Sequence, residues 1–238
     1  MLTDFDGTLA EIVDDPAAAV ARPGAAVLLA RLARRLGVVA VVSGRPVAFL
    51  ERALGPAADR LVLFGLYGLE RRRPGEPPTD GGPPSAAVAA ALDEVGPLPP
   101  GAALERKGRT FVLHWRRAPE AGAQLTRRAE ELARRHDLEV RLGKMTAELL
   151  PKGAGDKATA VVELATPLRA VAFLGDDRGD LPAFAALGRL AQAGRRVARV
   201  AVAGPEAPPE LLEAADCVVA GPAGATALLA ALAERLGA

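Results

Sequence analysis

The chain alternates short, continuously apolar runs with longer Ala- and Leu-rich stretches of helical periodicity. The apolar runs have no polar alternation, which is typical of strands buried on both faces of a sheet. They lie at residues 38–42, 61–64, 170–174 and 217–219, and a further strand is predicted over 197–202, which is apolar except for Arg199. Helical stretches precede or follow each of them. This alternation predicts a Rossmann-like parallel sheet of the α/β class, with helices on both faces.

The middle of the chain follows a different pattern. Residues 73–84 are rich in Pro and Gly, which predicts a linker or surface loop. A helix, a strand pair, a second helix and another strand pair follow, and short turns at Gly108 and Gly143 indicate antiparallel hairpins. We therefore predict an α/β core interrupted by an inserted α+β cap domain. The predicted limits are residues 1–71 and 151–238 for the core and 72–150 for the cap.

Composition and charge narrow the possible functions. The 30 basic and 29 acidic residues give a net charge of +1, so no overall field favours nucleic acid or a membrane surface. The start of the chain does not resemble a signal peptide, and no apolar run reaches the ~20 residues of a membrane span. We expect a cytoplasmic protein. Cys217 is the only cysteine, which excludes an intramolecular disulfide or a thiolate zinc site, and its apolar flanks predict that it is buried.

Two carboxylates follow the first predicted strand. Asp4 and Asp6 are two residues apart in the segment Leu2–Asp6, and side chains with that spacing point the same way along a strand. Two such carboxylates repel each other unless a cation lies between them or one is protonated, and Mg²⁺ prefers oxygen ligands. The alternative is an ordinary Asp–Gly surface turn.

Two further segments could bind an anion. Ser43 and Gly44 lie where an apolar strand turns into a helix, and a helix N-terminus with a hydroxyl and free amides binds phosphate-like groups. The alternative is a plain helix cap. Lys157 lies at the start of a predicted helix, which is unfavourable for a cation unless an anion is adjacent. The alternative is a solvated surface lysine.

An acidic cluster follows the predicted strand 170–174. Asp176, Asp177 and Asp180 come directly after this wholly apolar run, which points to a second half of a metal site. The alternative, a charged surface loop, fits a buried strand poorly. In parallel sheets ligands bind beyond the carboxyl ends of the strands, so we expect all four segments to meet there.

These segments together resemble the haloacid dehalogenase superfamily of phosphohydrolases. The matching pieces are residues 4–8, Ser43, Lys157 and residues 175–180. Within that superfamily the chain is similar to the trehalose-phosphatase family. The narrower likeness lies in residues 43–46, 65–70, 104–107, 113–116 and 148–151.

The resemblance implies a role for each core residue. Asp4 would be the nucleophile that becomes a phosphoaspartate, and Asp6 would protonate the leaving sugar oxygen and then activate water. Ser43, Gly44 and Lys157 would hold the phosphoryl oxygens. Mg²⁺ would be bound by Asp4, Asp6 through its backbone carbonyl, Asp176 and Asp180.

The resemblance also implies a sugar-phosphate substrate. Arg45, Glu105, Lys107 and Glu148 would contact it, although the two glutamates and the lysine could equally be cross-strand pairs on a sheet, with Glu105 facing a neighbouring Arg. The implied reaction is hydrolysis of trehalose 6-phosphate to trehalose and phosphate, with a functional link to a trehalose-phosphate synthase. The alternatives are a phosphatase for a sucrose- or mannosylglycerate-type phosphate and a non-catalytic sugar-phosphate-binding regulatory subunit.

Overall fold

The computed structural model describes residues 1–13, 15–77, 83–205 and 207–238. The chain forms two compact units, Met1–Thr79 with Gly155–Ala238, and Asp80–Ala154. We call the first unit the core and the second the cap. The core extends past the predicted limit at residue 71 because residues 70–72 form a strand of its sheet. Residues 78–82 of the predicted linker lie outside the described residues.

The strands and helices of both units follow in chain order. The strands are β1 (Leu2–Thr3), β2 (Ala40–Val42), β3 (Val62–Gly65), β4 (Glu70–Arg72), β5 (Ala103–Arg106), β6 (Phe111–His114), β7 (Leu138–Gly143), β8 (Thr146–Pro151), β9 (Ala170–Gly175), β10 (Arg196–Ala203) and β11 (Cys217–Ala220). The helices are α1 (Ala25–Leu32), α2 (Val47–Leu54), α3 (Ala86–Asp93), α4 (Gly122–His136), α5 (Lys157–Ala165), α6 (Leu181–Gln192), α7 (Pro209–Ala214) and α8 (Gly221–Arg235).

The core sheet has the order β11-β10-β9-β1-β2-β3-β4 and is parallel except for the edge strand β4. Its central strand, β1, is shorter than the predicted run, but the Asp4 N–H still donates to the Leu174 carbonyl at 2.8 Å. Leu2 pairs with Ala40 on one side and with Phe173 on the other. The carboxyl ends of β1, β2 and β9 therefore lie at one edge of the sheet, which confirms the predicted parallel α/β class.

Two apolar layers enclose the core sheet, because its strands are hydrophobic on both faces. One layer includes Phe5, Leu29 and Leu229 and packs against α1, α2 and α8. The other includes Phe173 and Phe184, whose rings meet edge to face at 6.3 Å, and packs against α5 and α6. This two-sided burial fixes the strand ends in place and so positions the loops that follow them.

The cap contains an antiparallel sheet of order β5-β6-β8-β7. Phe111, Leu113 and Leu149 are fully buried and pack with the apolar residues of α3 and α4. Side chains alternate between the faces of a strand, so the neighbours of these residues point to the opposite face. That second face carries Val112 and Glu148. The antiparallel pairs β5–β6 and β7–β8 are the two hairpins predicted from the sequence.

The structure corrects two predictions and adds one finding on membranes. Cys217 is exposed, because β11 is an edge strand, so the expected burial is wrong. The helical stretch predicted before the apolar run 38–42 is shorter than expected, because its last α-helical residue is Leu32. Among the helices of the described segments, none combines the length and the hydropathy that a membrane span requires.

Candidate active site

Three segments of the core meet around the buried amine of Lys157. Its Nζ lies 2.9 Å from Asp4 Oδ2 and 2.7 Å from Asp180 Oδ1. Asp4 follows β1, Asp180 follows β9, and Lys157 is the first residue of α5. One lysine therefore joins two carboxylates that are 176 residues apart in the sequence.

Lys157 is held inside the core by the start of its helix. Asp156 caps α5 by accepting the Thr159 N–H at 3.0 Å, which leaves Lys157 at the first helical position. The lysine is only 4% exposed, so it is not the solvated surface residue that was the alternative. Burial alone would lower its pKa, but the surrounding carboxylates of Asp180 and Asp4 outweigh it and raise the pKa well above the ordinary value. The amine is thus a fixed positive charge.

Three carboxylates form a tight group at the same strand ends. Asp4, Asp176 and Asp180 each offer an oxygen within 4.8 Å of the others. Burial, with a further contribution from neighbouring acids, raises the pKa of Asp4 well above its usual range. The same causes raise the pKa of Asp176 to about 8 and that of Asp180 to about 6. Negative charge is crowded here beyond what Lys157 neutralises, and a cation would relieve it.

Asp180 also shapes the loop that carries Asp176. Its Oδ2 accepts the backbone N–H groups of Asp176 and Asp177 at 2.9 and 3.1 Å. A Cβ at Gly175 would lie 2.3 Å from Asp180 Cγ, so only glycine fits before this loop. The carboxylate is fully buried and has its oxygens directed at fixed donors. Asp180 therefore orients Asp176 in addition to contacting Lys157.

Asp176 is fixed from the other side by the loop after β1. The Thr8 hydroxyl donates to Asp176 Oδ1 at 3.0 Å. Gly7 has φ +71°, and a Cβ there would lie 1.9 Å from Asp176 Oδ2. Thr8 lies within residues 4–8, which carried the resemblance, but no role was predicted for it. Its partner is 168 residues away, so no local pattern in the sequence indicates the hydrogen bond.

Asp6 lies apart from the carboxylate group. Both of its oxygens accept hydrogen bonds from Arg45, from Nε and from one terminal nitrogen, each at 2.8 Å. The spacing rule for strands does not reach Asp6, because β1 ends at Thr3 and Asp6 lies in the turn before Gly7. Arg45 Cζ also lies 4.4 Å from the centroid of the Phe49 ring. The structure therefore pairs the predicted acid with the predicted substrate-binding arginine.

Ser43 and Gly44 form the turn between β2 and α2. Ser43 is buried, and its Oγ accepts the Arg45 N–H at 3.2 Å, which leaves the hydroxyl hydrogen available to a ligand. A Cβ at Gly44 would lie 2.7 Å from Tyr67 Oη, so a side chain is excluded there. The Glu70 carboxylate accepts the first N–H of α2, from Val47, at 2.7 Å. The buried Ser43 hydroxyl thus lies at the end of β2, next to a glycine against which the Tyr67 ring packs.

The donor set of the carboxylate group fits a hard divalent cation such as Mg²⁺. Its three ligands all offer oxygen, and neither a thiol nor an imidazole belongs to the group. Small hard cations choose carboxylate oxygens over nitrogen or sulfur. Burial and the neighbouring acids raise the pKa of Asp4 and of Asp176, and a bound cation would offset both effects.

The predicted sugar-contacting residues Glu105, Lys107 and Glu148 lie in the cap. Glu105 and Glu148 are both register partners of Val112 on the strand between them, so the two glutamates share the cap face opposite α3 and α4. Two strand spacings separate them, about 9.5 Å. The strand register therefore groups these carboxylates on one polar surface.

Each of these cap glutamates has partners within the cap. Glu148 is 4% exposed and accepts the Thr110 hydroxyl at 2.6 Å, and Lys107 Nζ lies 3.5 Å from its other oxygen. Glu105 lies 2.8 Å from His114 Nε2. The cross-strand pairing considered from the sequence exists, and a histidine is one partner of Glu105. Neither His114 nor Thr110 was given a role from the sequence, although His114 lies within residues 113–116, which carried the resemblance, and Thr110 lies between two such segments.

In the core, an acidic pocket with a buried lysine lies at the strand ends of a parallel sheet, and the cap is inserted in the chain after β4. This is the arrangement of the haloacid dehalogenase superfamily, and the chain is a member of that class. The family model of the trehalose-phosphatases matches residues 2–209. The chain belongs to the trehalose-phosphatase family.

Individual relatives agree with this assignment. The trehalose-6-phosphate phosphatase of Escherichia coli (strain K12) is 34% identical over 195 residues, which cover 79% of this chain and 73% of that protein. The trehalose-phosphate phosphatase of Mycobacterium avium (strain 104) is 34% identical over 199 residues, which cover 77% of this chain but 50% of that protein. The chain thus spans about half the length of its mycobacterial relatives.

A solved structure has the same fold. The C-terminal domain of the C. albicans trehalose-6-phosphate phosphatase superposes with a TM-score of 0.79 at 25% identity, covering 98% of this chain and 92% of that one. The likeness therefore extends over both the core and the cap.

Proposed function

We propose that the protein is a Mg²⁺-dependent phosphatase that hydrolyses trehalose 6-phosphate to trehalose and phosphate. The observation that carries the proposal is the buried group of Asp4, Lys157, Asp176 and Asp180, because it offers a nucleophile, a fixed cation and a metal site within a few ångströms. Membership of the trehalose-phosphatase family supports the choice of substrate.

Asp4 is the proposed nucleophile. One carboxylate oxygen forms a bond to phosphorus as the bond from phosphorus to the sugar oxygen breaks, and water then attacks the phosphoaspartate to release phosphate. Dividing hydrolysis into two steps lowers each barrier. Lys157 lies 2.9 Å from Asp4 Oδ2, so it offsets the charge that gathers on the phosphoryl oxygens.

Mg²⁺ would be held by Asp4, Asp176 and Asp180, with the Asp6 backbone carbonyl as a further candidate. When bound, it would neutralise phosphoryl charge and hold the phosphate for attack. Thr8 and Asp180 keep Asp176 in position for that role. The Ser43 hydroxyl and the Gly44 backbone donate to the phosphoryl oxygens.

Asp6 is the proposed general acid and base, and Arg45 controls when it can act. Arg45 occupies both Asp6 oxygens, so Asp6 cannot give a proton to the sugar oxygen until one of these hydrogen bonds is released. An incoming phosphate dianion competes for the same guanidinium, because Arg binds phosphate in the same two-pronged manner. Only a ligand that carries a phosphate would then draw Arg45 away from Asp6 and leave Asp6 free to act.

The cap residues Glu105, Lys107 and Glu148 are proposed to read the sugar hydroxyls. Carboxylates fixed by hydrogen bonds suit this task, since a site with oriented acceptors rejects ligands that leave them unpaired. Thr110 and His114 supply that orientation. We also propose a functional link to the synthase that makes trehalose 6-phosphate.

Phosphate release from a panel of sugar phosphates tests the proposal. With Mg²⁺ present, trehalose 6-phosphate is expected to have the highest kcat/KM, above sucrose 6-phosphate and a mannosylglycerate phosphate. Asp4→Asn should remove activity while the circular dichroism spectrum stays that of the wild type. Asp93→Asn, which changes an exposed cap carboxylate, is the matched control and should retain full activity.

Each alternative outcome identifies a different error. A better substrate than trehalose 6-phosphate would reject the sugar assignment and leave the phosphatase chemistry. Undiminished release by Asp4→Asn would reject the nucleophile. Tight binding of trehalose 6-phosphate with no turnover by the wild type would favour the non-catalytic regulatory subunit.

A further inference from the structure

An arginine-lined cavity lies at the end of the core sheet opposite the carboxylate group. Its volume is about 640 Å³, and its lining residues are Arg169, Ala170, Gly194, Arg195 and Arg196. Ala170 begins β9, whereas Asp176 follows the end of the same strand. Six residues of strand place the cavity about 17 Å from the carboxylate group. The two sites are therefore separate.

Two of the three guanidinium groups are available to a ligand. Arg195 is held by the backbone, since its terminal nitrogens donate to the carbonyls of Leu168 and Thr166. The exposed side chains of Arg169 and Arg196 have neither an ion pair nor a hydrogen bond with any residue of the described ranges. Their backbones are joined by the hydrogen bond from Arg196 N–H to the Arg169 carbonyl at 3.2 Å. The backbones that carry two fork-shaped donors thus meet at this end of the sheet, next to a third arginine.

The surrounding sequence supplies no acid to neutralise these arginines. Residues 164–175 and 181–203 contain five arginines and neither Asp nor Glu. One of the five, Arg199, forms an ion pair with Asp216, which lies outside both ranges. In a chain whose net charge is only +1, this is a local concentration of positive charge.

We propose that this cavity is a second anion site, which binds a small molecule carrying two or three adjacent phosphoryl groups. Pyrophosphate and the phosphate tail of a nucleotide have the shared chemistry, because both present several oxygens to fork-shaped donors. The cavity is open to solvent, so its volume of about 640 Å³ leaves room for a phosphate chain whose other end extends into solvent. Three positive charges match the roughly three negative charges of such an anion.

Calorimetric titration of pyrophosphate and of ADP into the full chain tests this site. Both titrations are made with EDTA present, so that Asp4, Asp176 and Asp180 carry no divalent cation and repel the anion from the carboxylate group. One equivalent is expected to bind, and affinity should fall steeply with added salt. Equal affinity for the two probes would identify the phosphates as the ligand, and tighter binding of ADP would identify a nucleotide.

Variants locate the bound anion. Arg169→Gln with Arg196→Gln should weaken binding at least about tenfold, since both guanidinium groups are expected to donate charge-assisted hydrogen bonds to the phosphoryl oxygens. Arg60→Gln, at an exposed position of the core, should bind as the wild type does. Trehalose 6-phosphate hydrolysis should be the same in all three proteins, so loss of hydrolysis alone would bear on the proposed function and not on this site.

Two results would overturn the inference. One is unchanged pyrophosphate affinity in the double variant, and the other is no binding by the wild type at millimolar pyrophosphate. If the double variant has no cooperative thermal unfolding transition, the single variants Arg169→Lys and Arg196→Lys are titrated in its place. Each keeps the positive charge but lacks the two parallel N–H donors of a guanidinium group. Each is then expected to weaken binding severalfold, and wild-type affinity in both would reject the site.

Discussion

The crowded carboxylates predict that Mg²⁺ binding depends steeply on pH. Burial, with repulsion from neighbouring acids, raises the pKa of Asp176 to about 8 and that of Asp180 to about 6. Mg²⁺ requires ionised ligands, so binding must release the protons that these groups hold. The affinity for Mg²⁺ should therefore rise with pH, until the pH is high enough for Asp176 to be ionised in the cation-free protein.

The size of the effect follows from the pKa of Asp176. With that pKa at about 8, about 1% of the carboxyl is ionised near pH 6 and about half near pH 8. The Mg²⁺ association constant should rise about 50-fold over this interval, or roughly 2.3 kcal/mol. The raised pKa of Asp4 acts in the same direction.

Stability without a divalent cation should change in the opposite direction. A carboxyl whose pKa is raised on folding binds protons more tightly in the folded state, so ionising it costs folding free energy. The cation-free protein should lose stability as the pH rises from the ordinary value of 3.8 through about 6 and about 8. Mg²⁺ should restore more stability near pH 8 than near pH 6.

Calorimetry of Mg²⁺ binding near pH 6, 7 and 8 measures both effects. Two buffers of different ionisation enthalpy count the protons released, and thermal unfolding follows stability. Asp176→Asn should abolish most of the pH dependence together with much of the affinity, whereas Asp93→Asn should change neither. Equal affinities near pH 6 and pH 8, with no proton release, would refute the link between carboxylate crowding and metal binding.

Three substitutions extend the test to the groups around the carboxylates. Lys157→Met should lower the free energy of unfolding near neutral pH by about 3–5 kcal/mol in urea titrations, because Asp4 would lose its buried partner; an unchanged transition would contradict the charge argument. Gly7→Ala puts a Cβ against Asp176 at φ +71°, and should cost about 1–2 kcal/mol and most of the phosphatase activity. Thr8→Val removes the hydrogen bond to Asp176, with a loss of about 1 kcal/mol and weaker Mg²⁺ binding by calorimetry. Wild-type Mg²⁺ affinity in Thr8→Val would show that the hydroxyl does not position Asp176.

The class of fold, and the edge of the sheet where the candidate site lies, could both be predicted from the order of residues along the chain. Continuous apolar runs specify strands buried on both faces, and such strands pair in parallel under helices. Ser43 directly follows the run 38–42, Asp176 follows the run 170–174 after one glycine, and Asp4 comes at the end of the first predicted strand. Their meeting at one edge could therefore be predicted without knowledge of side-chain packing. The order of apolar and polar residues carries that information because strand direction fixes where each loop emerges.

Which side chains pair depends on how the strands and helices pack in three dimensions. The Asp6–Arg45 pair, the Thr8–Asp176 hydrogen bond and the burial of Lys157 have no counterpart in any local pattern. Each depends on side chains from separate segments arriving within about 3 Å of one another, which is the reach of a hydrogen bond. Sequence periodicity gives the direction of a side chain within its own element, and the packing of the elements then sets the distance to its partner.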